Sequence, residues 1–374
     1  MADERIIRGK DRIAQLQGLR GLAMIGIFLM HTQTFYSSEG FGEIGFIADA
    51  MGRGGVIVFF MLSGFLLTFK GKEIPNSTLR TRLKMCRTKF HKLWLLYVLT
   101  LIFAFFGYGR IPQTLVDWCY SIVSLPLCLT YMQDLIPHVG INISYNGPAW
   151  YISAMFIIWI LAYTFPKSIN EIKTWNVPKC LWAIMVIVNI QVIYKIGEYH
   201  FPTHLIPINH PQIYMSWISY FSPFYNFGYF LMGCFIGRLS LLHNSQCLLW
   251  YLLGLILTLA MFYIMGKTLY SAYSMPLITE LFIGLLMLTI MIDKSILNKL
   301  LSLKPLVWFG NISASFFLIH GVVNYHLRYV EDIIAKPTLF FISFIISFVL
   351  SVLSEKYIML KTDESVLQHI KKIA

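Results

Sequence analysis

Apolar residues fall into long runs that recur from one end of the chain to the other, separated by short polar stretches. A helix needs about 20 mostly apolar residues to cross the hydrocarbon core of a bilayer, and most of these runs approach that length. The pattern therefore predicts an all-α, polytopic integral membrane bundle of about ten transmembrane helices. The predicted spans are residues 13–35, 52–69, 92–107, 146–165, 179–197, 222–237, 247–266, 272–292, 306–324 and 337–357.

One further apolar stretch, residues 114–132, contains Asp117 and Pro126. These two residues predict a break in the helix, and hence a re-entrant or interfacial segment near 114–132 rather than a span. The charge distribution agrees with this interpretation. With the N-terminus in the cytoplasm and ten alternating spans, only six of the 30 Lys and Arg residues fall on the outer side, whereas an eleventh span would almost abolish the bias.

The topology that follows has both termini in the cytoplasm. Residues 1–374 would form a single transmembrane domain, with residues 1–12 and 358–374 as cytoplasmic tails. The polar N-terminus contains no short apolar segment followed by a small-residue cleavage site, so we expect no removable signal peptide. The predicted location is the cell inner (plasma) membrane, with a multi-pass chain in contact with the lipid bilayer.

Composition and charge narrow the class further. The chain is 57% hydrophobic and 13% charged, which is too apolar for a soluble domain. The net charge of +12 is accounted for by the basic cytoplasmic side, so no nucleic-acid partner is expected. The six cysteines are scattered without a CxxC pair, and this spacing predicts neither a disulfide framework nor a metal site.

Few ionisable residues lie inside the predicted spans, and such residues are costly enough to point to function. They are Arg20 and His31 in the first span, Glu280 in the eighth and His320 in the ninth. Arg20 and His31 are 11 residues apart, so on a helix they share one face and lie about 16 Å apart. Both histidines would lie in the outer half of the membrane, where a neutral imidazole could accept a hydroxyl proton.

Structural explanations for these residues stay open. A histidine inside a membrane can simply hydrogen-bond a neighbouring helix, and for His320 the two interpretations are equally good. Glu280 could pair with a buried cation or a histidine, or it could be a structural carboxyl group. The block of basic residues at 70–92 is predicted to be a cytoplasmic loop. Positive-inside orientation and anionic lipid explain it, and a phosphate-binding surface is the alternative.

Four segments resemble the membrane acyltransferase 3 family. "LQGLRGLAMIGIFLMH" is similar to its opening span, whose signature is an arginine, ten residues and a histidine, and Arg20 and His31 occupy these positions. "GRGGVIVFFMLSGFLLT" (52–68) resembles its second span, "YFLMGCFIGR" (229–238) a weaker glycine-spaced span, and "FGNISASFFLIH" (309–320) a late segment that ends in His320. The matches follow the order of the family over residues 16–320.

The resemblance implies a ten-span O-acetyltransferase. Such an enzyme takes an acyl group, usually acetyl, from cytoplasmic acetyl-CoA and transfers it to a hydroxyl of a surface carbohydrate such as a capsular or exopolysaccharide unit. His31 would be the catalytic base, and Arg20 would bind the donor or orient its helix. Acetyl-CoA would be a substrate, and no permanently bound cofactor is expected.

The chain departs from the family pattern at two places. The arginine-x-x-arginine pair that often ends the family's basic loop is replaced by Lys89 and Lys92, and lysine lacks the bidentate fork of arginine. Many members have a glutamate pair after a tryptophan. Here Trp150 is retained, but Met155 and Phe156 stand at the acidic positions. That carboxylate role is either absent or taken by another residue such as Glu280.

These expectations combine into one hypothesis for the site. The nucleotide end of acetyl-CoA would dock at the basic block, and the pantetheine arm would pass Arg20. Asn311, Ser313 or His320 could hydrogen-bond the developing oxyanion near His31. Direct transfer and an acyl-enzyme on His31 or Ser63 are both open. The rival functions are a transporter of a polysaccharide precursor or small molecule, and a docking protein. The predicted residues are His31, Arg20 and His320 for catalysis; Lys89, Lys92, Arg80, Arg82 and Arg87 for the donor; and Trp150, Glu280, Arg53, Asn311 and Ser313 for the acceptor or for support.

Overall fold

The structure is a computed structural model that describes residues 2–36, 42–71, 73–200, 217–242, 256, 275–291 and 296–359. Within these ranges the chain forms helices joined by turns and no strands, which confirms the all-α prediction. Helices of at least 15 residues are labelled in chain order. They are α1 (Ala2–His31), α2 (Gly42–Phe69), α3 (Leu79–Phe105), α4 (Leu115–Leu129), α5 (Trp150–Thr164), α6 (Val177–His200), α7 (Pro223–Leu241), α8 (Met275–Ile290), α9 (Lys304–Leu327) and α10 (Lys336–Ser354).

Six stretches of the described residues are long and apolar enough to cross a membrane. They belong to α2, α3, α5, α6, α9 and α10, each of which overlaps a span predicted from the sequence. The predicted span 247–266 lies outside the described residues apart from Ile256. The total of about ten spans and the cytoplasmic location of the termini therefore stay predictions.

The apolar segment 114–132 forms one continuous helix, α4, although Asp117 and Pro126 were expected to break it. Asp117 instead begins the helix, because its carboxylate accepts hydrogen bonds from the Thr114 hydroxyl at 2.8 Å and N–H at 3.0 Å, while its own N–H donates to the Thr114 hydroxyl. Pro126 is accommodated inside α4. Fifteen residues extend about 22 Å, which is too short for the hydrocarbon core, and Leu115 is 81% exposed. An interfacial position suits this helix.

The structure differs from the predicted boundaries of the basic loop and of the N-terminal tail. The basic block 70–92 is not a loop throughout, because α3 begins at Leu79 with Thr78 as its N-cap, so most of the basic side chains project from the first turns of a helix. The expected tail 1–12 is helical from Ala2 onward, as the first part of α1. At the other end α10 continues into a turn of π-helix over Glu355–Met359, and residues 360–374 lie outside the described residues.

Glycines bring α1 and α9 into backbone contact. A Cβ atom on Gly310 would overlap the carbonyl oxygen of Gln17, and one on Gly21 would lie 2.5 Å from the carbonyl oxygen of Leu306. The same two helices meet again at His31 and His320, each ten residues after its glycine. Ten residues rise about 15 Å on either helix, so α1 and α9 run side by side in the same direction. Gly21 and Gly310 therefore set the register of the two histidines.

The remaining helices pack around this pair with alternating directions. Gly55 of α2 contacts Ala23 and Gly52 contacts Met30, so α2 runs antiparallel to α1. Phe90 of α3 packs on Phe156 of α5 with ring centroids 5.1 Å apart, while ten residues later Thr100 accepts a hydrogen bond from Asn146 just before α5. α3 and α5 are thus antiparallel. These relative directions are those that consecutive membrane spans would have.

α10 has small polar residues on one face and large apolar residues on the opposite face. Ser343, Ser347 and Ser351 recur every four residues and are completely buried against the bundle. On the opposite face, Phe341 is 64% and Ile345 is 58% exposed. In water such a surface would be unfavourable, whereas in a bilayer it faces hydrocarbon. Small side chains on the inner face let α10 approach α9 closely.

Candidate active site

The structure joins the two histidines predicted from the sequence. Nδ1 of His31 lies 2.8 Å from Nε2 of His320, and the rings stack with centroids 5.0 Å apart and an interplanar angle of 27°. His320 is completely buried, and His31 is half-buried at the end of α1. The sequence predicted that both histidines lie in the outer half of the membrane, and the structure brings their rings into contact.

Hydrogen bonds determine which nitrogen of His31 is available. Nδ1 of His320 lies 3.0 Å from the carbonyl oxygen of Phe316, and since a carbonyl can only accept, this nitrogen carries a proton. Nε2 of a neutral His320 is then an acceptor, so Nδ1 of His31 donates to it. The remaining nitrogen of His31, Nε2, keeps its lone pair. One backbone carbonyl thus fixes the tautomer of both rings.

A second set of contacts holds the backbone of His31. The Asn324 side-chain amide donates to the His31 carbonyl oxygen at 3.2 Å. The Ser343 hydroxyl, one of the buried serines of α10, donates to Oδ1 of Asn324 at 2.5 Å. α1, α9 and α10 therefore meet at His31, and both the ring and the main chain of this residue are tied to α9. Neither Asn324 nor Ser343 was predicted.

Arg20 lines a cavity of about 130 Å³ between α1, α2, α3, α5 and α9, and we call this space the Arg20 cavity. Its walls include Phe59, Tyr151, Met155, Ser313 and Phe317. The guanidinium lies 5.8 Å from the centre of the Phe59 ring and donates to the side-chain oxygen of Gln17 at 3.5 Å. It also interacts electrostatically with Tyr151 and Glu355. A cation therefore borders an otherwise mainly apolar space on the face of α1 that leads to His31.

The predicted donor-binding residues are spread over two sides of α3. Arg80, Arg87 and Lys89 are exposed, whereas Arg82 and Lys92 are half-buried. The Lys89 ammonium lies 3.2 Å from the centre of the Trp159 ring and 5.4 Å from that of Tyr163, both on α5. This cation–π contact attaches α3 to α5, so Lys89 has a structural partner as well as a predicted ligand.

A family model described as an acyltransferase domain, that of the acyltransferase 3 family, matches residues 13–356. The chain belongs to the acyltransferase 3 family. This is a family of acyltransferase enzymes, and its match together with the apolar helices makes the chain a multi-pass membrane protein.

One curated relative is acyltransferase MdmB from Streptomyces mycarofaciens, which is 25% identical over 174 residues. The matched segment covers 46% of this chain and 43% of MdmB, so it spans less than half the length of this relative. No solved structure matches the chain.

In this member of the acyltransferase 3 family, Glu280 does not join the histidines. Its Oε1 accepts a hydrogen bond of 2.6 Å from the Tyr229 hydroxyl, and it interacts electrostatically with Lys195. Lys195 in turn donates to the hydroxyl of Ser219 at 2.7 Å. The structure therefore places Glu280 in a separate buried cluster, where a carboxyl group has a structural partner. At the family's acidic position, Met155 supplies an apolar wall of the Arg20 cavity.

Two residues expected near the oxyanion lie elsewhere. Asn311 is exposed, and the Ser313 hydroxyl donates to the Gly310 carbonyl oxygen of its own helix at 2.8 Å. Seven residues, or about 10 Å of helix, separate Ser313 from His320. Ser313 lines the Arg20 cavity instead. The helix places Asn311 and Ser313 two or more turns from His320, so the structure does not bring them to the histidine pair.

Trp150 and Arg53, which were predicted for the acceptor or for support, also lie outside the Arg20 cavity. Trp150 is buried, with its ring 4.9 Å from Tyr220 and 5.0 Å from Phe221, so it packs inside the protein rather than presenting a face to a sugar. Arg53 is exposed at the surface of α2 and forms an ion pair of 2.8 Å with Asp49. Neither residue lines the Arg20 cavity.

Two buried or hydrogen-bonded carboxyl groups, Asp134 and Glu355, were not predicted from the sequence. Asp134 lies between α4 and α5 and is completely buried, and burial raises the pKa of its carboxyl well above the ordinary value. Ser153, Asn142 and the N–H of Ala154 lower the pKa of Asp134 in part, but they do not reverse the effect of burial. Glu355 follows α10 and accepts a hydrogen bond of 2.7 Å from Ser315. Both residues lie outside or at the edge of apolar runs, where a search of the spans passes over them.

Proposed function

We propose that this chain is a membrane O-acyltransferase that moves an acetyl group from cytoplasmic acetyl-CoA to a hydroxyl of a cell-surface carbohydrate, such as a capsular or exopolysaccharide unit. The observation that carries the proposal is the hydrogen-bond chain from the Phe316 carbonyl through His320 to His31. It leaves Nε2 of His31 as a base in a fixed orientation, which is the group that acyl transfer to a hydroxyl requires. Family membership supports the same class of reaction.

In this reaction, Nε2 of His31 takes the proton of the acceptor hydroxyl as its oxygen attacks the thioester carbon. The C–O bond forms, the C–S bond breaks, and the thiolate of coenzyme A leaves and regains a proton. As His31 becomes positively charged, its Nδ1–H bond to His320 strengthens, because a charged donor binds a neutral acceptor more tightly. His320 is therefore a positioning residue, and His31 is the catalytic residue.

The donor would approach from the cytoplasmic side. Arg80 and Arg87 project from the first turns of α3, where guanidinium groups suit the phosphates of a nucleotide. Arg20 lies about 16 Å from His31 along α1, a length that an extended pantetheine arm could cover. The Arg20 cavity supplies a mainly apolar space at this depth. This order of residues gives the reaction a direction from the inner to the outer side of the membrane.

Transport without chemistry is the weaker alternative. A transporter of a polysaccharide precursor would not need a pair of histidines with a fixed tautomer, and the family match concerns acyltransferases. Acetyl is the proposed acyl group because the resemblance of the opening span implies it.

The test uses the full chain reconstituted in liposomes, with labelled acetyl-CoA and a capsular or exopolysaccharide preparation from the source cell. We expect label in the carbohydrate with the wild-type protein and a loss of about 100-fold or more with His31→Ala. His326→Ala is the matched control, because Nδ1 of His326 also contacts a carbonyl oxygen of α9, that of Val322, at 2.9 Å. Full turnover by His31→Ala would overturn the proposal.

A further inference from the structure

Three of the aromatic rings that line the Arg20 cavity also pack on one another. Phe59 of α2, Tyr151 of α5 and Phe317 of α9 all line this space. Their ring centroids are 5.9 Å apart for Phe59 and Tyr151, 5.3 Å for Tyr151 and Phe317, and 6.5 Å for Phe59 and Phe317. All three distances are typical of packed aromatic pairs. The rings therefore form one cluster, which we call the aromatic barrier.

The aromatic barrier lies between the cavity and the histidines. The Phe317 ring is 5.9 Å from the ring of His320, and neither His31 nor His320 lines the Arg20 cavity. Ser313, Phe317 and His320 follow one another at intervals of four and three residues, so they lie on one face of α9. Going along this face, the cavity comes first, then the Phe317 ring, then the histidine pair.

From this order we propose that Phe317, packed on Tyr151 and Phe59, is a gate between the donor cavity and His31, and that it selects short acyl groups. The inference rests on the proposed acyl transfer. A volume of about 130 Å³ is well below that of a pocket for a drug-sized ligand. The acyl group leads the pantetheine arm, so it must push the Phe317 ring aside to reach His31. A longer chain displaces more of the barrier than acetyl does.

The closed barrier also protects the thioester. While Phe317 stays in place, the acyl carbon remains in a mainly apolar cavity and does not meet the base. If the ring is removed, the thioester can reach His31 when no acceptor is present. Water then serves as the acceptor. His31 takes one proton from water, the C–O bond of the carboxylic acid forms, and coenzyme A leaves as the thiol.

The experiment measures release of the coenzyme A thiol by the full chain in liposomes, without carbohydrate, from acetyl-CoA and from hexanoyl-CoA. We expect Phe317→Ala to raise acceptor-free release about tenfold and to raise the ratio of hexanoyl-CoA to acetyl-CoA use. The double variant Phe317→Ala with His31→Ala should return release to the background. Phe309→Ala is the matched control, since Phe309 is buried on the same helix and packs on Phe316 and Phe344 outside the cavity.

The outcomes separate the gate from the function. If wild-type protein acetylates carbohydrate in a His31-dependent way but Phe317→Ala changes neither acceptor-free release nor the chain-length ratio, the gate is wrong. If release never depends on His31 in any variant and no carbohydrate is acetylated, the proposed function itself is wrong. Should Phe317→Ala fail to fold, Phe317→Leu provides the same test with a smaller side-chain loss, and an unchanged ratio in that variant overturns the gate.

Discussion

The imidazole of His31 forms a hydrogen bond of 2.8 Å with that of His320, although the two residues are 289 positions apart in the sequence. His320 has a second hydrogen bond, to the Phe316 carbonyl oxygen, and so its ring is held at both nitrogens. Among the described residues, His31 is held at one ring nitrogen. This asymmetry assigns different roles to two residues that look alike in the sequence.

The roles can be separated by replacing His320. We expect His320→Gln to retain part of the activity, because a glutamine oxygen can accept the Nδ1–H of His31. His320→Ala should lower kcat by about 10- to 100-fold with little change in the KM for acetyl-CoA, since it leaves the base present but disoriented. Steady-state kinetics of the reconstituted protein measure both values. Equal loss in the two variants would contradict a positioning role.

The contact between α1 and α9 predicts a strong effect of Gly310→Ala. A methyl group there collides with the backbone of Gln17, so the helices must separate and the histidines lose their register. Overpacking of this kind costs about 1–3 kcal/mol, and we expect a lower thermal midpoint in detergent together with a loss of activity. Gly197→Ala is the control, because a Cβ atom on Gly197 meets no other atom within 4 Å. A tolerated Gly310→Ala would argue against close packing.

The proposed donor binding at the start of α3 predicts that removal of its arginines changes the KM for acetyl-CoA in a way that depends on salt. We expect Arg80→Gln combined with Arg87→Gln to raise the KM for acetyl-CoA several-fold while leaving kcat nearly unchanged. Both side chains are exposed, so the difference from wild type should shrink as ionic strength rises and the charges are screened. Arg328→Gln removes a cation just after the far end of α9 and serves as the control. A change in kcat alone would place these arginines outside donor binding.

Asp134 and Asp117 predict opposite effects of pH on stability. Burial holds the folded pKa of Asp134 above its unfolded value of about 3.9, so its carboxyl destabilises the protein increasingly as pH rises above about 4. We expect Asp134→Asn to raise the thermal midpoint at pH 7 and to have little effect near pH 4.

Asp117 supplies the comparison. The Thr114 hydroxyl and N–H hold the pKa of Asp117 below its ordinary value, so its stabilising effect is present at neutral pH and is lost as pH falls through the folded pKa. Asp117→Asn should therefore lower the thermal midpoint slightly at pH 7, with no difference in strong acid. Thermal unfolding in detergent over a series of pH values measures both variants. A lower midpoint for Asp134→Asn at pH 7 would show that the carboxylate is charged and paired.

The periodic apolar runs predicted the helices, and the rarity of ionisable residues within them identified His31 and His320. Both signals can be read from a single segment of the sequence, because an ionisable residue in hydrocarbon is costly wherever its partners lie. The sequence could not assign the roles of Asn311 and Ser313, since these depend on which turn of α9 faces which neighbour. It also passed over Asn324 and Ser343, which are polar but uncharged and gain their importance only when α1, α9 and α10 meet.

Aromatic residues were the least predictable. Phe317 looks like any apolar residue of a span, and only its contacts with Tyr151 and His320 distinguish it. Trp150 was predicted for the acceptor or for support, and only the structure shows that its ring packs against Tyr220 and Phe221. Lys89 was predicted from its charge and its place in the family pattern, and its position over the Trp159 ring follows from the antiparallel packing of α3 and α5.

The separation of His31 and His320 along the chain also has a consequence for biosynthesis. A ribosome makes the helix with Arg20 and His31 first, and the partner of His31 emerges only after most of the chain has been inserted. Until then the nascent protein has a histidine with no fixed tautomer. A chain that terminates before α9 would thus contain Arg20 and His31 without the histidine that orients His31.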